Sequence, residues 1–405
     1  MRKLLSAAAL PLQSASGNSL TMPDKENTLE SALRAEIQQR GPIPFRDYMA
    51  RALYDPNYGY YGGGKAQVGR GGDFFTNVSV GPLFGHLLAR QFAEMWRRLG
   101  EPADFAIVEQ GANRGDFAAD VFSALRDFDP ACYAATSLWL VEPLVPLRAV
   151  QAERLRDFES SKVRWVDSPA ALPSFQGVHF SNELLDAFPV HRVCRRGDRW
   201  VERAVDFQAG QFVFVDAEIV SEELNAHLAK LPAVPDGYET EVNLAIAPWL
   251  AEVGSKLSTG FILAIDYGYP RSDYYRPERS SGTLSAYAAH RREPNPLQRP
   301  GEIDLTSHVD FTILAEAAPQ LGLQLAGFTD QHHFMVGLSR LHFSDDYAMT
   351  TAGQQELRAF KTLMHPTLMG QSFHAICLAK GVTDTALSGF QFGGSAREKL
   401  VPRHA

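Results

Sequence analysis

The stretch FAIVEQGANRGDFAADVF, residues 105–122, decides the fold class. An apolar segment that ends in Glu109 turns through Gly111 and Gly115 and continues into a pattern typical of an amphipathic helix. Glycines at a strand-to-helix turn let the backbone approach a ligand closely, and the start of the helix offers unpaired N–H groups. The stretch therefore predicts a nucleotide-binding β–α turn, although an ordinary tight turn would have the same outline.

The spacing of the glycines indicates which ligand. The dinucleotide fingerprint G-x-G-x-x-G needs glycines at 111, 113 and 116, but the chain has Asn113 and Asp116 at the last two. An acid two residues before Gly111, followed by Gly-x-x-x-Gly, resembles instead the first motif of class I S-adenosylmethionine-dependent methyltransferases. That donor carries a sulfonium and an ammonium and no pyrophosphate, so nearby carboxylates favour it. Asn113 replaces the middle glycine of that motif; asparagine tolerates a positive φ but adds a side chain.

The chain beyond residue 104 alternates short apolar strands with helical stretches, which is typical of a mostly parallel sheet. We predict strands at 105–109, 138–142, 163–166, 178–181 and 261–266, and helices at 115–128 and 145–157. Residues 190–216 alternate in a β manner and predict an inserted antiparallel hairpin. Segments 323–337 and 373–380 are candidates for antiparallel strands that complete the sheet. The predicted fold is α/β, a doubly wound, Rossmann-like sheet with an inserted β-hairpin and loop excursions. The resemblance of the 109–115 loop to the first methyltransferase motif implies that this sheet is a class I methyltransferase fold.

The chain before the sheet is helical and rich in glycine. Residues 28–40, with Thr28 as a plausible N-cap, 43–55 and 81–100 predict helices. The glycine-rich segment between the last two is either a flexible loop or a lid over a cofactor, in which case Asp73 and Thr76 contact the cofactor. We therefore expect a disordered tail or targeting segment at 1–27, N-terminal helices and a lid at 28–100, the methyltransferase core at 101–383 with insertions at about 190–257 and 268–310, and a loose tail at 384–405.

Acidic residues follow two further predicted strands. In the stretch LWLVEP, Glu142 lies at the carboxyl end of the second predicted strand, where a doubly wound fold presents an acid to ribose hydroxyls, although a solvated strand end would look the same. In VHFSNELLDAFPV, residues 178–190, Asn182 and Glu183 leave the apolar run and Asp186 follows three residues later. A helical turn there would put both acids on one face as a pair of carboxylates. Helix capping explains Asn182 alone.

Composition excludes several classes of protein. The chain has 405 residues, 45% of them hydrophobic and 21% charged, with a net charge of −8 and no basic block, so nucleic acid is an unexpected partner. Its three cysteines, Cys132, Cys194 and Cys377, are too few and too scattered for a disulfide framework or a zinc site. We expect no metal, a reducing compartment and no membrane insertion, since no apolar run approaches the roughly 20 residues of a span.

Several phrases together resemble the MidA family of methyltransferases, which occurs in bacteria and mitochondria. They are IPFRDYMARALYDPNYGYY (43–61), GGDFFTNVSVGPLFGHLLARQF (71–92), the 109–115 loop, SNELLDAFPV (181–190), GFILAIDYGY (260–269), GTLSAYAAH (282–290) and PGEIDLTSHVDF (300–311). The resemblance implies a class I fold and S-adenosyl-L-methionine as cofactor. For the mitochondrial branch it implies methylation of an arginine on a respiratory complex I subunit during assembly. It places Glu109, Gly111, Asn113, Gly115, Glu142 and Asn182 at the cofactor.

The predicted function is a protein arginine N-methyltransferase. Because a guanidinium pairs with carboxylates in a bidentate manner, Glu183, Asp186 and Asp266 are the catalytic candidates. Asp304, Tyr267 and His308 are weaker ones. The alternatives are methylation of a small molecule and a non-catalytic assembly factor that binds a protein partner with or without S-adenosylmethionine. We expect a protein substrate, a possible homo-oligomer, and a bacterial cytoplasmic or mitochondrial matrix location.

Overall fold

The structure is a computed structural model that describes residues 28–63, 77–288, 291–365 and 372–400. Its α-helices are α1 (Leu29–Arg40), α2 (Phe45–Tyr54), α3 (Leu83–Arg98), α4 (Asp116–Phe128), α5 (Pro130–Ala135), α6 (Val145–Arg154), α7 (Glu222–Leu228), α8 (Ile246–Lys256), α9 (Arg271–Tyr274), α10 (Phe311–Ala317), α11 (Gln331–His342), α12 (Asp345–Ala348), α13 (Thr351–Met364) and α14 (Ala396–Leu400). Its strands are β1 (Ile43–Pro44), β2 (Phe105–Gln110), β3 (Thr136–Val141), β4 (Val163–Val166), β5 (Phe175–Asn182), β6 (His191–Arg196), β7 (Arg199–Gln208), β8 (Gln211–Ala217), β9 (Glu239–Val242), β10 (Leu257–Tyr269), β11 (Ser285–Ala288), β12 (Arg291–Arg292), β13 (Asp304–Thr306), β14 (Val309–Asp310), β15 (Gln324–Asp330) and β16 (Phe373–Lys380).

The central sheet has the strand order β15-β16-β10-β5-β2-β3-β4. Strands β4, β3, β2, β5 and β10 are parallel, and β16 lies antiparallel between β10 and β15. From β2 the chain builds outward to β3 and β4, and then returns to add β5 on the other side of β2. The strand order therefore reverses between β2 and β5, and ligands of open α/β sheets bind at the carboxyl ends of such a pair.

The predicted strands and helices of this sheet are confirmed in type and place. Each predicted strand lies within an observed one, apart from Glu142, which follows β3 directly. The predicted antiparallel strands at the sheet edge are present as β15 and β16. The strand in 323–337 ends at Asp330, however, because Asp330 accepts a hydrogen bond from His333 N and caps α11.

Apolar layers cover both faces of the central sheet. On one face α3, α4, α11 and α13 pack against residues such as Phe105 and Ile107 of β2. On the other face α8, α10 and α14 pack against Ala106 and Val108 of the same strand. This alternation follows from the two-residue period of a strand. Helix α8 was expected within the 190–257 insertion, but its packing on this face makes it part of the core.

A second sheet is formed by the insertion and the N-terminal segment. Strands β6, β7, β8 and β9 are antiparallel, and β1 adds to β7. The expected hairpin is thus part of a larger sheet. Helices α1 and α2 pack on it through residues such as Leu33, Phe45 and Met49, whereas α3 belongs to the core. Thr28 caps α1 through a hydrogen bond from Ser31 N, as predicted.

The expectation of a loose C-terminal end is wrong for residues 384–400. Leu387 and Leu400 are buried, each in one of the two apolar layers beside the central sheet. Asp384 forms an ion pair with Arg98 of α3. The short helix α14 packs on β15 because Leu400 reaches the core, and a composition-based estimate of disorder does not register one well-placed leucine. Across the described ranges, no helix has the length and apolar character that crossing a bilayer requires.

Candidate active site

The turn after β2 has the backbone expected of a ligand-binding loop. Gly111, Asn113 and Gly115 have φ values of +83°, +46° and +81°. Gly111 is exposed, and a Cβ built on it would lie 3.3 Å from Leu184 Cδ1. Asn113 adopts the left-handed conformation that asparagine tolerates, and its carbonyl accepts a hydrogen bond from Gln151 Nε2 at 2.7 Å. The loop therefore holds its shape with asparagine in place of the middle glycine.

Glu109 lies at the carboxyl end of β2 and is 5% exposed. Its Oε2 atom has no hydrogen-bond partner in the described part of the chain. Burial, followed by repulsion from Asp116 and Asp120, raises its pKa to about 8. A buried carboxylate oxygen without a donor is costly, so this position suits a ligand that brings an N–H or a positive charge.

Glu142 connects the second strand end to the glycine loop. Its Oε1 accepts a hydrogen bond from Leu144 N at 2.9 Å, and its Oε2 accepts one from Gln151 Nε2 at 3.1 Å. Gln151 Nε2 also donates to the carbonyl of Asn113, so one amide joins the two strand ends. A carboxylate has about four acceptor positions, and two of those on Glu142 are used. No described residue occupies the other two, which can accept ribose hydroxyls.

We expect Glu142→Ala to weaken donor binding by about 1–3 kcal/mol, because ribose hydroxyls would lose a charged acceptor. The free energy of unfolding should also fall by about 1–2 kcal/mol, since Leu144 N and Gln151 lose their acceptor. Calorimetric titration with S-adenosyl-homocysteine and thermal unfolding measure the two effects. Glu142→Gln keeps an acceptor oxygen and serves as the control. Unchanged donor affinity in Glu142→Ala would contradict the ribose assignment.

The turn after β5 is held by hydrogen bonds from four other segments. Glu183 N donates to Ile265 O, and Asp266 Oδ2 accepts from Leu184 N and Leu185 N. Farther along the turn, Ser307 N donates to Asp186 O, Tyr54 Oη donates to Ala187 O, and Asn243 Nδ2 donates to Leu185 O. Glu183 has φ +53°. A non-glycine residue in this backbone conformation lowers the stability of the fold by about 1–3 kcal/mol, and the hydrogen bonds around the turn offset that loss.

Four carboxylates gather around this turn. Asp186, Asp266 and Asp304 are buried, and Glu183 is partly buried. Burial raises the pKa of Glu183 to about 8, with repulsion from Asp266 and Asp304 adding to it. Burial and then repulsion from Asp266, Glu183 and Asp304 raise the pKa of Asp186. Such a group favours a cationic ligand, because a positive charge relieves repulsion among several carboxylates at once.

Asp266 differs from the other three carboxylates. Its Oδ1 accepts from Tyr267 N at 2.8 Å, and its Oδ2 accepts from Leu184 N at 3.1 Å and Leu185 N at 2.8 Å. Burial raises its pKa to about 7 while these backbone donors lower it. Its Oδ2 holds the turn and its Oδ1 is bonded to the next residue of β10, so the geometry favours a positioning role for Asp266 over the predicted catalytic one.

Comparison with known proteins agrees with this geometry. Residues 87–329 match the model of a family described as "Putative S-adenosyl-L-methionine-dependent methyltransferase". The chain belongs to this methyltransferase family. A COG1565 superfamily member from Burkholderia thailandensis, solved bound to S-adenosyl-homocysteine, is 34% identical with a TM-score of 0.82, over 94% of this chain and 100% of that one.

Curated relatives of this methyltransferase are named protein arginine methyltransferase NDUFAF7, mitochondrial. The Drosophila melanogaster homolog is 27% identical over 91% of this chain and 88% of its own length. The mouse protein is 28% identical over 90% of this chain and 87% of its own length. The predicted class I fold, methyltransferase activity and S-adenosylmethionine cofactor are therefore confirmed.

The structure fits the cofactor of this methyltransferase. Glu109 offers a buried oxygen that has no donor among the described residues, Gly111 is exposed and carries no side chain that would crowd Leu184, and Glu142 retains acceptor positions. Asn182 ends β5 at the same edge and donates to Glu183 Oε1 at 2.9 Å. The predicted cofactor residues Asp73 and Thr76 lie outside the described residues.

Tertiary structure adds residues that the sequence did not single out. Tyr61 Oη donates to Asp304 Oδ1 at 3.0 Å, and Tyr54 reaches the turn after β5 from α2. Their aromatic rings stack with centroids 5.7 Å apart. Asp304, a weaker sequence candidate, belongs to the carboxylate group, whereas His308 stacks beside Tyr267. The only sequence signal for the two tyrosines was their place in the N-terminal phrase that resembles the MidA family.

Three potential metal ligands, His86 of α3, His342 of α11 and Glu356 of α13, lie together. Arg90 Nε donates to His342 Nδ1 at 3.0 Å, so His342 Nε2 bears the proton and faces Glu356 Oε2 at 2.6 Å. Glu356 also accepts from Tyr347 Oη at 2.9 Å. The lone pair with which His342 would bind a metal is thus directed at Arg90. We interpret the group as a hydrogen-bonded contact between α3, α11 and α13.

Proposed function

We propose that this methyltransferase modifies an arginine side chain of a protein partner. The observation that supports the proposal is the group of carboxylates around the turn after β5, beside the strand end that bears the glycine loop. A guanidinium remains charged at all accessible pH values and offers five N–H donors in a planar fork. It therefore matches Glu183, Asp186 and Asp304 better than a neutral acceptor would. The names of the curated relatives favour the same substrate class.

The residues divide into a donor side and an acceptor side. Glu109, Gly111, Glu142 and Asn182 would hold S-adenosylmethionine, which supplies an electrophilic methyl group bound to a sulfonium. On the acceptor side, Glu183 binds and orients the guanidinium. Asp186 is the candidate to receive the proton that the methylated nitrogen loses, because a bound guanidinium favours its ionised form and its raised pKa makes that carboxylate a stronger base.

Acceptor binding should depend on pH. Since burial raises the pKa of Glu183 to about 8, much of it is protonated at pH 7, and a guanidinium favours its ionised form. Binding of the acceptor should therefore release protons, and affinity should rise with pH up to about 8 and then level off. Calorimetric titration with the acceptor at pH 7, in two buffers of different ionisation enthalpy, measures the number of protons released on binding. An affinity that falls between pH 6 and 8 would contradict this assignment.

Transfer of label tests the proposal. Tritiated S-adenosylmethionine is incubated with the enzyme and a lysate, and acid hydrolysis of labelled protein is expected to yield methylated arginine. Label in another amino acid contradicts the arginine proposal, and label in small molecules supports small-molecule methylation. Absence of both donor binding and transfer favours the assembly-factor alternative. Three further statements remain predictions. Identification of the labelled protein tests whether the acceptor is a complex I subunit. Cell fractionation tests the compartment, and light scattering tests whether the protein forms a homo-oligomer.

A further inference from the structure

A chain of three side-chain amides leads from the core to Glu183. Gln331 Nε2 donates to Leu363 O at 3.1 Å and to Asn77 Oδ1 at 2.8 Å. Asn77 Nδ2 donates to Asn182 Oδ1 at 3.0 Å, and Asn182 Nδ2 donates to Glu183 Oε1 at 2.9 Å. Asn77 and Gln331 are both fully buried. The chain thus connects the start of α11 and the end of α13 with the acceptor side of the active site.

The direction of these hydrogen bonds is determined at the far end. Leu363 lies in the last turn of α13, where carbonyls have no partner within the helix, and a carbonyl can only accept. Gln331 must therefore turn its NH2 group toward Leu363, which leaves the same group facing Asn77 Oδ1. Each following amide then presents its oxygen backward and its NH2 group forward. Consequently Glu183 receives an N–H, which favours its ionised form.

We propose that Asn77 and Gln331 are positioning residues that orient Asn182 and hold the Glu183 carboxylate ready for a cationic acceptor. The inference rests on the proposed role of Glu183. A second contact supports it, because Asn77 N itself approaches Glu183 Oε1 at 3.3 Å. Among the described residues, the other ionisable groups around Glu183 are Asp186 from its own turn, Asp266 and Tyr267 from β10, and Asp304 from β13. Since these oppose ionisation of Glu183, the Asn182 amide and Asn77 N are the groups in the described part of the chain that favour it.

Two variants test the inference without the acceptor. Asn77→Leu keeps the branched shape and removes the amide, and Gln331→Met keeps the length and removes both donors. In protein labelled at the glutamate carboxyl carbon, the Glu183 resonance is identified by its absence in Glu183→Gln and titrated by NMR. We expect the pKa of Glu183 to rise by about one pH unit in Asn77→Leu and by less in Gln331→Met. Affinity for S-adenosyl-homocysteine should change less than transfer, which should fall about tenfold in Asn77→Leu.

Gln91→Met is the matched control, since Gln91 is equally buried but bonds to Glu94 and Gly389. It should lower the melting temperature and leave the Glu183 titration unchanged. If Asn77→Leu and Gln331→Met fold and Glu183 titrates in both as in the wild type, the inference is overturned. It is also overturned if neither variant folds, because the two amides would then only support the core. If wild-type protein labels no arginine, the proposed function fails, while the NMR titration still decides the positioning role.

Discussion

Glu183→Gln is expected to lower methyl transfer about a hundredfold or more, the range for losing one charged group directed at a reacting centre. The substitution keeps the shape of the side chain and its contact with Asn182, and it removes the charge that would pair with the acceptor. Affinity for S-adenosyl-homocysteine should change little, because Glu183 lies on the acceptor side of the site. Single-turnover transfer to the labelled acceptor protein and calorimetry measure the two effects.

Glu202→Gln is a suitable control for this experiment. Glu202 is also a buried glutamate, but it pairs with His191 in the second sheet. Its loss should reduce stability and spare transfer. If Glu183→Gln transfers methyl groups at a near wild-type rate, Glu183 is not catalytic, and its polar group would serve only to hold the turn after β5.

Gly111→Val is expected to abolish donor binding. At φ +83° a β-branched residue is strained, and the added Cβ would lie 3.3 Å from Leu184 Cδ1. The valine methyl groups would occupy space beside the loop that the donor needs. The fold should remain, at a cost of about 1–2 kcal/mol per residue for the left-handed conformation. Calorimetry with S-adenosylmethionine and thermal unfolding test both statements.

Gly210→Val separates backbone strain from lost binding. Gly210 has the same φ of +83° and lies in the turn between β7 and β8, where an added Cβ would meet no atom of the described residues within 4 Å. The variant should show a similar loss of stability with unchanged donor affinity. A donor affinity of Gly111→Val equal to that of the wild type would refute the loop assignment. A collapse of its melting temperature far beyond that of Gly210→Val would show that Gly111 is structural.

The features that were predictable from sequence depend on neighbours along the chain. The strand–turn–helix at 105–128 requires only an apolar run, glycines that can adopt positive φ, and an amphipathic period. The same holds for the cap at Thr28 and for Glu142 beside its strand end. Once the β–α–β order is known, parallel pairing brings the ends of β2, β3 and β5 to one edge. The residues at those ends, Glu109, Glu142 and Asn182, were therefore within reach of sequence reasoning.

The contacts that the sequence did not reveal join residues far apart along the chain. Tyr61 and Asp304 are separated by 243 positions, and Asn77 and Gln331 by 254. No local pattern distinguishes a tyrosine that will face an active site from one that will face solvent. Asp266 shows the same difficulty, because an acid at a strand end is a reasonable catalytic candidate until the backbone N–H groups around its carboxylate are known.

The class of the central sheet, the glycine loop and the acids that follow its strands could be predicted from the sequence, because hydrophobic period and backbone preference act over a few residues. Three features required the folded chain: which carboxylates gather around the turn after β5, which of them accepts the hydrogen bonds that hold that turn, and how side-chain amides connect Glu183 with the far side of the core. Those outcomes depend on burial and on hydrogen-bond direction, and both are properties of segments brought together from the whole chain.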